Sequence, residues 1–130
     1  MANPNLTTVS SITGNTTYFV PTGTTAVVLL ANAASSGVVN KINSITVANT
    51  TGISAAATVS VYTNGAVAQG SAPSGGTAYP IISAGSVPAN STFIALDKST
   101  SLYLQEGTSI SITSSTASAL TFVVSYEAIS

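Results

Sequence analysis

From residue 16 to residue 129 the chain alternates short runs rich in Val, Ile and Thr with Gly, Pro, Asn and Ser, at intervals of roughly 8 to 12 residues. No stretch sustains a 3.6-residue apolar period, so an amphipathic helix would have no face to bury. β-Branched side chains lose rotamer freedom in a helix but pack well on a pleated surface, which sends these runs into strands. Candidate strands fall at residues 16–20, 25–33, 38–49, 56–63, 77–83, 92–96, 101–104, 108–114 and 120–129. The spacing predicts an all-β chain, a single antiparallel β-sandwich of jelly-roll or Ig-like type with about eight or nine strands. A length of 130 residues suits one domain with a modest core. Residues 1–15 read as an N-terminal arm and 16–130 as the sandwich.

Local patterns sharpen this picture. In the last strand Leu120, Phe122, Val124 and Tyr126 share one face by the two-residue period, with Thr121, Ser125 and Glu127 opposite. That strand is expected to be central and buried on one side only. Ile110 and Ile112 point one way, Ser109 and Ser111 the other. Asn64-Gly65 within "YTNGAV" predicts a type I′ hairpin turn, with Val59 and Val61 facing inward. Gly107 within "LQEGTSI" predicts a second hairpin. Residues 68–80, with three Gly and two Pro, read as a surface excursion.

Charge is almost missing. Lys41, Asp97, Lys98, Glu106 and Glu127 make up 4% of the chain, where about 25% is usual. Water-facing groups come instead from 21 Ser and 20 Thr. Such a surface has little long-range field and tolerates close neighbours, including copies of itself. Two lysines cannot supply the phosphate contacts on which nucleic-acid affinity rests, nor a basic patch for anionic membranes. The longest apolar run, "AVVLLANAA" at residues 26–34, is about half of a spanning helix. Without cysteine there is no disulfide or thiolate site, and "MANPNLTTVS" lacks the basic and apolar regions of a secretion signal. Assembly in a cytoplasm is the expectation.

Reactive chemistry is hard to build from what remains. The chain has neither His nor Cys, the commonest general base and the commonest thiol nucleophile. Asp97 and Glu106 could only be considered as a glycosidase pair, and the Trp and Arg that furnish sugar platforms are missing. Lys41 and Ser44, three apart in a strand, are expected on opposite faces. Gly75-Gly76 has no Lys-Ser/Thr tail and is no phosphate loop. No loop offers enough acidic oxygens for calcium. The reading is a non-enzyme with no cofactor and no metal.

Three of the five charges fall within residues 97–107. Asp97 and Lys98 follow one short strand and Glu106 ends the next, where charges discourage edge-to-edge pairing. The functional alternative is polar contact with a partner subunit through Asp97, Lys98 and Glu106, with Lys41, Tyr79 and Tyr103 as further contact candidates. The plain reading of each tyrosine is a half-buried sheet residue, and Tyr62 and Tyr103, which alternate with inward residues, are the two placed to face outward. A sugar-binding module or host adhesin would need such tyrosines coplanar on an open face.

Four phrases carry a family resemblance: "KINSITVAN" at residues 41–49, "VPANS" at 87–91, "LDKSTSLYLQEG" at 96–107 and "SYEAI" at 125–129. Over residues 26–130 the chain resembles small virion structural proteins of tailed bacteriophages, particularly cyanobacterial ones. It departs from them in being poorer in charge, with Gln105 and Thr108 where acidic residues would be natural. The resemblance implies a β-sandwich subunit present in many copies on a particle. Its first implied place is capsid decoration or cement at capsomer joints, as a homotrimer bound to the major capsid protein or other virion proteins. The tail, neck or baseplate is the other. The protein would then be located in the virion, after assembly in the host cytoplasm, with its arm and its 68–80 and 97–107 segments facing neighbours.

Overall fold

The computed structural model describes residues 4–130 and contains two antiparallel sheets packed face to face. Its strands are β1 (Ile12–Phe19), β2 (Val27–Asn32), β3 (Val39–Asn49), β4 (Ala55–Tyr62), β5 (Ala78–Val87), β6 (Thr92–Leu96), β7 (Leu102–Leu104), β8 (Thr108–Ser114) and β9 (Leu120–Ile129). All nine runs expected from the sequence form strands. The first sheet has the order β1-β9-β3-β6, with β7 also paired to β3; the second has the order β2-β8-β4-β5.

Pairing is nested: β1 with β9, β2 with β8, β3 with β6 and β7, and β4 with β5. β6 and β7 share one partner, β3, and act as a single strand broken in the middle. A long hairpin rolled up in this way, then closed by β9 on β3 and β8 on β4, is a jelly roll. The Ig-like alternative does not have this nesting.

Alternation supplies the core. Phe122, Leu120 and Val124 of β9, Ile42, Ile45 and Val47 of β3, Ile110 and Ile112 of β8, Leu29 of β2 and Val59 of β4 are fully buried between the sheets. Each contributes about 1.5–3 kcal/mol of burial. Val61 and Tyr126 are half-buried against this cluster. Two buried asparagines tie the sheets together. Asn32 of β2 donates from Nδ2 to the Leu104 carbonyl (3.0 Å), and Asn49 of β3 donates to the Val87 carbonyl (3.0 Å).

Three local expectations are corrected. Asn64-Gly65 is not a hairpin turn: neither residue has positive φ, and β4 instead leads into a loop spanning 63–77 before β5 begins. Gly107 does have positive φ (74°), but its turn carries the chain from β7 in the first sheet to β8 in the second. Lys41 and Ser44 lie on the same face. The β3–β9 register shifts between Ile42 and Ser44, so Ile42 and Ile45 both enter the core although three residues apart. The arm is also shorter than 1–15, because β1 starts at Ile12 and Ser11 already exchanges backbone bonds with Ser130.

Candidate interaction surface

The two sheets differ in what covers their outer faces. On the second sheet Val28, Ser60, Ser109 and Ser111 are buried although they point away from the core. Loop 63–77 lies over them. Ser109 Oγ donates to the Asn64 carbonyl (2.8 Å), Gln69 Nε2 donates to the Leu29 carbonyl (2.8 Å), and Tyr62 Oη accepts from the Gly76 amide (3.0 Å). Tyr62 does leave the core side as expected, but under this cover it is buried, so it belongs to no open sugar platform.

Among the described residues no comparable loop covers the middle of the first sheet's outer face, whose Lys41, Ser44, Thr46, Val123, Ser125 and Glu127 are only half-buried. Residues paired directly across strands share a face, so the register lays the surface out in rows. One row runs Tyr18, Val123, Thr46, Ile94 across β1, β9, β3 and β6. Its two ends are widely open, Tyr18 at 69% and Ile94 at 61% exposure. The next but one runs Gly14, Glu127, Lys41, Tyr103. Between them lie Thr16, Ser125 and Ser44. The outer strip, Ile12, Ile129 and Val39, is closed over Val39 by residues of the N-terminal segment: Pro4 and Leu6 line a groove of about 150 Å³ there with Val39, Tyr103 and Gln105.

The candidate contact residues therefore do not form one site. Lys41 and Tyr103 are direct cross-strand neighbours on the open face. Lys41 is also opposite Glu127, whose Oε1 accepts from Asn43 Nδ2 (3.2 Å), a relation not signalled by the sequence. Asp97 and Lys98 sit in the break between β6 and β7, at that sheet's margin. Glu106 lies in the β7–β8 turn, where Oε2 accepts from the Gly37 amide (3.2 Å). Tyr79 is on β5 of the other sheet, remote from these in the strand order.

Asp97 is occupied locally. It caps the short 3₁₀ turn Lys98–Thr100: its Oδ1 accepts from the Ser99 hydroxyl (2.6 Å), the Ser99 amide (3.0 Å), the Thr100 amide (3.2 Å) and the Thr100 hydroxyl (3.2 Å). The Ser99 hydroxyl bond leads in holding its pKa below the ordinary aspartate value, against an opposing desolvation and with help from Thr100 and the amides. A carboxylate so engaged is a structural cap. Among the described residues no group of three His, Cys, Asp or Glu gathers to hold a metal, and no helix is long and apolar enough to cross a membrane.

Tyr18, Ile94, Val123 and Ile12 were not singled out by the sequence. Alternation in "TFIAL" and "TTYFV" marks one outward residue each, but only the cross-strand register shows that they line up. Compared with known proteins, the chain matches no family model, no curated protein and no solved structure.

Proposed function

We propose that the chain is a non-enzymatic structural subunit of a bacteriophage virion, foremost a capsid decoration or cement protein that binds at capsomer joints. The observation that carries this reading is the open outer face of the first sheet, where the row Tyr18, Val123, Thr46, Ile94 and the hydroxyls of Thr16, Ser125 and Ser44 lie beside two charged residues only, Lys41 and Glu127, opposite each other. Apolar and aromatic side chains amid uncharged polar groups suit contact with another protein surface. The jelly roll supports it by analogy, since that fold recurs in viral capsid domains, and also in lectins. The resemblance of the four phrases to those of phage virion proteins points the same way. Against the lectin alternative, Tyr62 is covered by loop 63–77 and lies on the other sheet from Tyr103, while Tyr18 and Tyr103, which share a face, stand on strands separated by β9 and β3.

Mass spectrometry and immunogold labelling of purified particles test the proposal. The polypeptide should be a stoichiometric component and should map to the head. Labelling confined to the tail or baseplate would move it to that other part of the virion. Absence from particles, with retention on immobilised polysaccharide, would overturn the structural reading in favour of a sugar-binding one.

A further inference from the structure

The sandwich has four strand edges, and three are blocked. The β6–β7 edge is broken by the Asp97-capped turn, with Lys98 on it. The β5 edge carries Pro80 and Ala84 at φ 51°, and its register against β4 shifts twice. The β2 edge is occupied by the 63–77 loop, through Val28 N–H to the Ser71 carbonyl (2.9 Å) and Gly70 N–H to the Val28 carbonyl (2.8 Å). Charges, proline, bulges and covering loops are the usual protections of an edge. β1 has none of the first three, and the 63–77 loop touches only side chains on its core-facing side, through Gln69 Nε2 to the Thr17 hydroxyl (3.1 Å) and Gly70 beside the Phe19 ring. "ITGNTTYF" is uncharged and proline-free, and it pairs with β9 from Ile12 to Phe19 without a shift. Among the described residues no segment pairs with its other side.

The phase of the free hydrogen-bonding groups follows from one pair. Ser11 N–H donates to the Ser130 carbonyl and Ser130 N–H donates back to Ser11, so residues 11, 13, 15, 17 and 19 face β9. The N–H and C=O groups of Ile12, Gly14, Thr16 and Tyr18 then point away, along an open edge. We propose that this edge pairs antiparallel with β1 of a second copy about a two-fold axis at Asn15. In that register Ile12 faces Tyr18 of the second copy and Gly14 faces Thr16, in pairs that each exchange both backbone bonds. The axis repeats these contacts, so Tyr18 in turn meets Ile12 of the second copy. An exposed Ile meets an exposed Tyr, a favourable cross-strand combination. Gly14, whose added β-carbon would meet nothing within 4 Å, leaves room for the incoming chain. The strands that meet carry no charged side chain of their own, the first in the sequence being Lys41, so like charges do not face each other across the paired edges. A self-matching order of side chains argues for a second copy over an unrelated strand.

The chain has no cysteine, so single replacements report the register directly. Asn15→Cys places two thiols opposite each other in a non-hydrogen-bonded pair and should oxidise readily to a covalent dimer. Thr13→Cys, whose counterpart in this register is Thr17, should not. Light scattering should give a two-chain mass for the unmodified protein, and Asn15→Lys, which sets like charges face to face at an exposed position, should shift it toward one chain with Tm retained. Equal cross-linking at both positions, a three-chain mass, or a single-chain mass at every concentration would overturn the proposal. The inference rests on edge geometry and not on the virion reading. A chain that cross-links at 15 but is missing from particles sinks only the latter.

Discussion

A β-carbon on Gly65 would overlap the carbonyl oxygen of Asn32 and lie 2.7 Å from that of Thr108. Glycine is therefore required here by space and not by conformation, since its φ is not positive. The loop that leaves β4 presses its backbone onto the ends of β2 and β8, with Asn64 receiving the Ser109 hydroxyl beside it. Gly65→Ala should cost at least about 2 kcal/mol, because the obstacles are backbone atoms that cannot rotate away. A fall in Tm of about 6 °C or more is expected, while Gly52→Ala, which meets nothing within 4 Å, should leave Tm almost unchanged. Equal Tm values for both variants would contradict this account.

Asn49 has a second role beyond tying the sheets. Its Nδ2 donates to the Val87 and Ile53 carbonyls (3.0 and 2.8 Å), and its Oδ1 accepts from the Thr51 amide and hydroxyl (3.0 and 2.8 Å). The residue itself is only 3% exposed. Asn49→Ala leaves these groups unpaired in a place water cannot easily reach, at a cost of about 2–4 kcal/mol. Asn49→Leu should not recover the loss, since volume is not what is missing. Recovery by Leu in a denaturant titration would show that Asn49 acts by packing.

Much of the fold can be read from the residues, and the site far less. Strand positions follow from β-branched runs and their turns, and the buried face of β9 from strict alternation of Leu120, Phe122, Val124 and Tyr126. What defeats local reading is any feature set by a distant partner. Asn43 is the extra residue of a bulge defined against β9, so spacing alone puts Lys41 and Ser44 on opposite faces when they share one. Asn64-Gly65 has the composition of a tight turn, but its backbone lies against Asn32 and Thr108 on other strands, a placement no local pattern shows. Tyr62 is outward by alternation and buried by a loop fourteen residues on. The rows of the open face depend on register across four strands, which no single segment encodes.

The capping carboxylate gives a pH signature. With its pKa depressed in the folded chain, Asp97 contributes stability that is present above the ordinary aspartate value and is lost as pH falls through the folded value. Carbon-13 titration of the Asp97 carboxyl should give a midpoint below that of aspartate in an unstructured peptide. Ser99→Ala, which removes the leading hydrogen bond, should move the midpoint upward. A midpoint at or above the peptide value would show that the carboxylate does not cap the turn in solution.

Ile94 offers the cleanest separation of surface function from stability. It lies on the row shared with Thr46, Val123 and Tyr18, but at the sheet margin farthest from the β1 edge, so changing it leaves edge pairing untouched. At 61% exposure, Ile94→Thr retains β-branching and should alter stability by no more than about 0.5 kcal/mol. Ile94→Asp adds a charge where a partner seated on this row would have to bury it unpaired, which is costly. Particles lacking the protein and supplied with each variant should bind the Asp form at least about tenfold more weakly than the Thr form, a difference of about 1.4 kcal/mol. Binding of the Asp variant at full strength, with its Tm intact, would remove this face from the contact and leave the charged margin at residues 97–107 as the surface to examine next.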